Sequence, residues 1–174
     1  MTCSKKMFDP VHPNRELIDV NDIAHALSML CRANGHFHTF HSVGQHCINC
    51  AREAEARGYN RRVQLACLLH DASEAYLSDV TRPVKAELPK YLEIEKPLQD
   101  LIWDKFLDQP LSQAEYDQVF EIDDEILAHE FINLMGESIF PTIPVLSSQP
   151  EFSFTGFERC REEYLALFRE LTVK

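Results

Sequence analysis

The sequence predicts an all-α fold, a single bundle of about six helices with almost no sheet. Three observations carry that reading. Apolar residues return at helical spacing in one segment after another, as Ile23, Leu27 and Leu30 do. Capping residues stand before these segments, and Asn-Gly, Gly or Pro stands after them. The 174-residue chain has only five glycines.

Residues 1–16 hold two prolines and no clear period, which predicts an extended lead-in. A first helix is expected from Val20 to Ala33, capped by Asp19 or Asn21 and stopped at Asn34-Gly35. An irregular stretch rich in His and aromatics follows. Ser42 opens a second helix that ends at Gly58, and Asn60 caps a third that runs through Leu68 and Leu69 into HDASEAYL. Pro83 and Pro89 bracket a short helical turn. An amphipathic helix is expected around Tyr91 to Leu107, and another from Ser112 to Gly136. Residues 137–154, with three prolines and several serines, read as a loop with room for a short strand pair. A last helix spans about Gly156 to Leu171. No internal repeat or linker divides the chain, so 1–174 reads as one domain.

Apolar residues make up 45% of the chain and charged residues 26%, which is a globular composition. The net charge of −11 repels a phosphate backbone and argues against binding nucleic-acid duplexes. It does not exclude a small phosphorylated substrate, because a bound divalent ion reverses the field locally. No apolar run is long enough to cross a bilayer, and MTCSKKMFDP lacks the apolar stretch of a signal peptide. A cytoplasmic protein with no membrane partner, its six cysteines reduced, is the resulting expectation.

The chemistry concentrates in LACLLHDASEAYLSD, where an apolar run delivers His70 and Asp71 side by side. Neighbours on a helix point about 100° apart, so both reach one ion only where a helix end presses on the site. Further ligands must come from other helices: His46 on the second and Asp123 on the long later one. Two imidazoles with two carboxylates suit Mn²⁺, Co²⁺, Fe²⁺, Ni²⁺ or Zn²⁺ better than Ca²⁺, with Mg²⁺ also a candidate. Glu74, three residues beyond Asp71, shares its helical face and could activate or orient a water. Asp79 would complete an acidic rim. A His-Asp dipeptide also serves purely structurally, with the carboxylate fixing the imidazole. Asp124 competes with Asp123 as the last ligand.

The segments CRANGHFHTFHSVGQHC, LLHDASEAYLSDVTRPVK and VFEIDDEILAHE lie in that order within about residues 20–135. In them the chain resembles the HD-domain metal-dependent phosphohydrolases, in particular the small bacterial and phage branch related to the 5′-deoxynucleotidases. The resemblance implies an all-α domain with a central metal pocket, His46, His70, Asp71 and Asp123 as ligands, and hydrolysis of a nucleotide phosphate monoester. A (deoxy)nucleoside 5′-monophosphate is the leading substrate. It further implies Glu74 as catalytic acid with Asp79 beside it, Arg32 against the substrate phosphate, and a homodimer as a candidate state. Lys85 is a second phosphate partner by charge. The interval from His46 to His70 is shorter than in the better known deoxynucleotidases, and residues 137–174 match them less clearly. Other substrates therefore stay open: a nucleoside triphosphate, a cyclic nucleotide or a guanosine polyphosphate. A metal-binding regulatory scaffold without turnover is the competing class.

His36, His38 and His41 read as solvated or hydrogen-bonded loop residues, with His41 a minor alternative to His46 as ligand. Cys47 and Cys50 form a CxxC inside a helix, and packing is the simpler role for both thiols.

Overall fold

The computed structural model describes residues 1–173, and its regular structure there is entirely helical. Six helices of nine residues or more form the bundle: α1 (Val20–Met29), α2 (Val43–Ala56), α3 (Arg61–Leu69), α6 (Pro89–Leu107), α7 (Gln113–Met135) and α8 (Phe157–Thr172). Two single-turn helices, α4 (Glu74–Leu77) and α5 (Arg82–Lys85), lie between α3 and α6. No helix among the described residues is long and apolar enough to cross a membrane.

Helix α2 is the axis of the bundle and packs against α1, α3, α7 and α8. Its caps are local: Ser42 accepts from the Gln45 N–H, and Gly58 turns the chain with φ +73°. Gly44 permits the closest approach, since a Cβ there would stand 3.2 Å from backbone atoms of Leu27 and Ser28 and 3.0 Å from Cys160 Sγ. One continuous core joins Ile23, Leu27, Val43, Leu68, Leu69, Leu98, Ile102, Ile122, Ile126 and Tyr164. The Tyr164 hydroxyl, fully buried, donates to the Leu68 carbonyl and so ties α8 to the end of α3. Ser112 and Glu115 form a reciprocal capping box at the start of α7, which Gly136 closes at φ +79°.

Three local expectations are corrected. The first helix stops at Met29, four residues before Ala33. Leu30 accepts from the Val43 N–H and Arg32 N–H donates to His41 O, so a short antiparallel bridge replaces the last turn. The third helix breaks after Leu69 instead of running through HDASEAYL. The Gln99 amide fills the break, donating to Leu69 O and accepting from the Ser73 N–H. The side chain thus supplies the partners that a continuous helix would have supplied.

Residues 137–154 form no strand pair. Side chains of α2 hold them, with His129 of α7 donating to the Pro144 carbonyl. Buried Glu53 accepts from the N–H groups of Ser147 and Ser148 and from the Ser148 hydroxyl, while Arg57 donates to it. Gln45 and Asn49 donate to the Glu151 carbonyl, and Gln45 also donates to that of Ser153.

Burial favours the neutral form of Glu53, but the Ser147 and Ser148 donors and Arg57 outweigh it and hold the carboxyl below its ordinary range. A depressed folded-state pKa contributes stability above the unfolded value of about 4.3, and that stability is lost as pH falls through the folded value. Glu53→Gln is expected to cost about 2–4 kcal/mol near neutral pH. It should also flatten the acid limb of stability measured by urea unfolding between about pH 5 and 3.

Candidate metal centre

Four donor atoms meet beside α2: His46 from α2, Asp123 from α7, and His70 and Asp71 from the turn that follows α3. Asp71 reaches them because α3 ends at Leu69 and the chain turns immediately. The His46 Nε2 atom lies 3.2 Å from His70 Nε2, 3.0 Å from Asp123 Oδ1 and 3.9 Å from Asp71 Oδ2. From His70 Nε2, Asp71 Oδ2 is 3.3 Å away and Asp123 Oδ1 3.6 Å. Donors about 2.1 Å from one shared ion are about 3.0 Å apart at octahedral and about 3.4 Å apart at tetrahedral angles. The observed separations fall around those values.

The ring orientations have separate causes. His46 Nδ1–H donates to Glu130 Oε1 at 2.7 Å, and His70 Nδ1–H donates to the Cys67 carbonyl at 2.7 Å. A carboxylate and a carbonyl only accept, so each ring carries its proton on Nδ1. Both Nε2 atoms then face the cluster, His46 Nε2 within hydrogen-bond distance of Asp123 Oδ1, and a bound ion would take the place of a proton there.

Asp123 is buried, whereas Asp124, one residue on, is exposed. That difference favours Asp123 of the two as the inward donor. His41 is fully buried with Nε2 3.3 Å from Glu130 Oε1, outside hydrogen-bond geometry, and neither ring nitrogen has a hydrogen-bond partner. His36 and His38 are exposed.

Around the donors stand the other residues singled out from the sequence. Glu74, on α4, is buried, with Oε1 3.6 Å from Lys85 Nζ and Oε2 without a hydrogen-bond partner. Burial, with Asp71 and Asp79 nearby, raises its pKa well above the ordinary carboxyl value against the pull of Arg32 and Lys85. Asp79 is also raised, by burial first. Burial works against the charge on Asp71, but the His70 ring beside it outweighs burial and holds that carboxyl at about 2. Asp123 is likewise lowered by His46 and His70 in spite of burial. Burial also opposes charge on the two imidazoles, and the surrounding acids reverse it and raise both. The pocket therefore favours positive charge where the two Nε2 atoms meet.

Arg32 sits before a left-handed turn, with Ala33 at φ 51° and Asn34 at φ 49°. That turn sends its guanidinium inward, 3.0 Å from Glu130 Oε2 and 3.5 Å from Asp71 Oδ2. Lys85 is tied to Glu95 at 2.6 Å.

Two participants escaped the sequence reading. Glu130 stands seven residues after Asp123, two turns along the same face of α7, and that spacing was the available signal. Arg82, half-exposed on α5, contacts Asp123 Oδ2 at 2.6 Å and also pairs with Asp124. Nothing in the local sequence pairs α5 with α7.

No family model matches the chain. Over 105 residues it is 36% identical to the uncharacterized protein YfdR of Escherichia coli K12, an alignment covering 60% of this chain and 56% of that protein. Over 101 residues it is 38% identical to an uncharacterized protein of Rhodobacter capsulatus, covering 55% of this chain and 51% of the relative. The chain thus spans about half the length of the curated relatives it matches.

Glu130 compensates a buried guanidinium and orients a buried imidazole. Glu130→Gln removes the nearer of the two charge partners of Arg32, and a loss of about 3–5 kcal/mol in unfolding free energy is expected by denaturant titration. Loss of less than about 1 kcal/mol would mean that water or another acid replaces it.

Proposed function

We propose that this protein is a metal-dependent phosphohydrolase of the HD type. Its proposed substrate is a nucleotide phosphate monoester, with a (deoxy)nucleoside 5′-monophosphate the best fit. One observation carries the reading: the Nε2 atoms of two imidazoles meet the carboxylates of Asp71 and Asp123, beside a buried acid with an unpartnered oxygen.

The donor set fits a divalent ion. His46, His70, Asp71 and Asp123 would hold it, and nitrogen with oxygen donors suits Mn²⁺, Co²⁺, Fe²⁺, Ni²⁺, Zn²⁺ or Mg²⁺. Bound there, the ion supplies Lewis acidity at a phosphoryl oxygen and lowers the pKa of a water.

The protein's own groups do the rest. Arg32, held from behind by Glu130, presents its remaining donors to a phosphoryl oxygen, and its planar fork suits bidentate contact. Arg82 and Lys85 bring two further cations to the same rim. Burial and the neighbouring acids raise the Glu74 pKa above the ordinary carboxyl range, which suits a group that gives or takes a proton in the reaction. Its free Oε2 is available to a water or to the ester oxygen. Asp79, close enough to raise the Glu74 pKa further, assists it.

The charge balance favours a monophosphate over a triphosphate. Every cation at the site is already paired with an acid: Arg32 with Glu130 and Asp71, Lys85 with Glu95, Arg82 with Asp123 and Asp124. Little unpaired positive charge remains for a polyphosphate. The same economy, with a net charge of −11, makes nucleic-acid duplexes poor ligands.

Glu74→Gln separates an enzyme from a metal-binding scaffold. Phosphate release from a panel of nucleoside mono-, di- and triphosphates with Mn²⁺ or Co²⁺ should fall about 10²–10⁴-fold in the variant, with its metal content unchanged. Monophosphates should be the preferred substrates of the wild type. No turnover of any phosphoester by the wild type, or equal turnover by the variant, would contradict the reading.

A further inference from the structure

Ser78 stands between Glu74 and Asp79, at the end of α4 and directly before the second of these acids. Its backbone has φ +77° and ψ 156°. That region is open to glycine and strained for any residue with a Cβ. The residue is exposed, so packing does not hold it there. Two hydrogen bonds do. The Ser78 N–H donates to the Glu74 carbonyl at 2.8 Å, and the Ser78 carbonyl accepts from the Tyr91 hydroxyl at 3.0 Å. The first closes the last turn of α4. The second comes from α6, thirteen residues further along the chain.

We infer that Tyr91 is a positioning residue, whose hydroxyl latches Ser78 in this conformation and thereby keeps Asp79 turned into the site. The positioning half of this inference rests on the phosphohydrolase reading above; the latch does not. Backbone strain persists only where the surrounding structure over-determines it, and it gathers at functional sites. Asp79 is the neighbour that gains. It is half-buried, and near enough to Arg32, Asp71 and Lys85 for their charges to act on its carboxyl. A relaxed Ser78 would send the chain out of α4 in another direction and carry Asp79 away from them.

Helix α6 is a firm base for a latch. Leu98 and Ile102 fix it in the core. Gln99, eight residues after Tyr91, bonds the Leu69 carbonyl and the Ser73 N–H. One helix thus braces both ends of the 70–79 segment. The Tyr91 ring also carries Lys85, whose Nζ lies 5.5 Å from the ring centroid, 2.6 Å from Glu95 Oε1 and 3.6 Å from Glu74 Oε1. Glu95 is one turn beyond Tyr91 on α6. Tyr91 therefore touches both the backbone before Asp79 and the cation beside Glu74. Burial, with Glu95 and Glu74 nearby, raises the pKa of the phenol, so the hydroxyl keeps the proton it donates.

Hydrogen exchange at the amide of residue 78 in the full chain, followed by NMR, tests the latch. In Tyr91→Phe its protection factor is expected to fall at least about tenfold, because Ser78 relaxes and its bond to Glu74 opens. In Tyr91→Phe/Ser78→Gly it should return to within about threefold of the wild-type value, since glycine needs no latch to adopt this conformation. Tyr91→Phe/Ser78→Ala keeps the Cβ and should show no recovery. Unchanged protection in Tyr91→Phe, or no difference between the glycine and alanine double variants, would overturn the inference. Turnover of a nucleoside monophosphate with Mn²⁺ tests the positioning. In Tyr91→Phe, kcat is expected to fall at least about tenfold with KM within about twofold and metal content unchanged, and to recover in the glycine double variant alone. A wild-type kcat in Tyr91→Phe, or the same loss in all three variants, would overturn that half. If the wild type hydrolyses no phosphoester, the phosphohydrolase reading and the positioning role fall together, and exchange still decides the latch.

Discussion

The buried carboxylate of Glu130 is the interaction on which the site depends. It accepts from His46 Nδ1, faces His41, and balances Arg32, all beyond the reach of solvent. Burial alone would neutralise this acid, but the charges of Arg32 and His46 hold it ionised, well below its ordinary pKa. In turn it fixes the His46 tautomer and the position of Arg32. In the proposed reaction, metal ligation and phosphate binding would thus be coupled through one side chain that contacts neither ion nor substrate.

The bundle serves that arrangement. Helix α2 carries His46, and its other positions seat the 147–153 segment through Glu53, Asn49 and Gln45. The interruption after Leu69 turns His70 and Asp71 toward one point and starts α4 afresh at Glu74. Five acids, Asp71, Glu74, Asp79, Asp123 and Glu130, then crowd a space with three cations, Arg32, Arg82 and Lys85. The excess of negative charge is the physical reason to expect a bound cation, because close-packed carboxylates repel unless a positive charge joins them.

Much of this was legible in the sequence. Helical periodicity gives α2, α6, α7 and α8 within a few residues, and side-chain caps at Ser42 and Ser112 mark the starts of α2 and α7. The convergence of His46, His70, Asp71 and Asp123 followed from residue chemistry and from the resemblance to HD-type enzymes. What stayed hidden depends on distant side chains. The Gln99 amide breaks the third helix from thirty residues away, and the Cys31–Ser42 bridge shortens the first. Glu130 acquires its role only through His46 and Arg32, which lie on other elements of the fold. Arg82 reaches Asp123 from α5, forty-one residues earlier in the chain, a pairing that no local pattern announces.

The most direct measurement is equilibrium binding of Mn²⁺ to the chelator-treated full chain, followed by calorimetry and by the shift in unfolding free energy. The account predicts one saturable ion per chain, stabilising the fold by about 2.7 kcal/mol when free Mn²⁺ is a hundredfold above its dissociation constant. It also predicts loss of that ion in Asp123→Asn but not in Asp124→Asn. No saturable binding, or binding indifferent to Asp123, would contradict it.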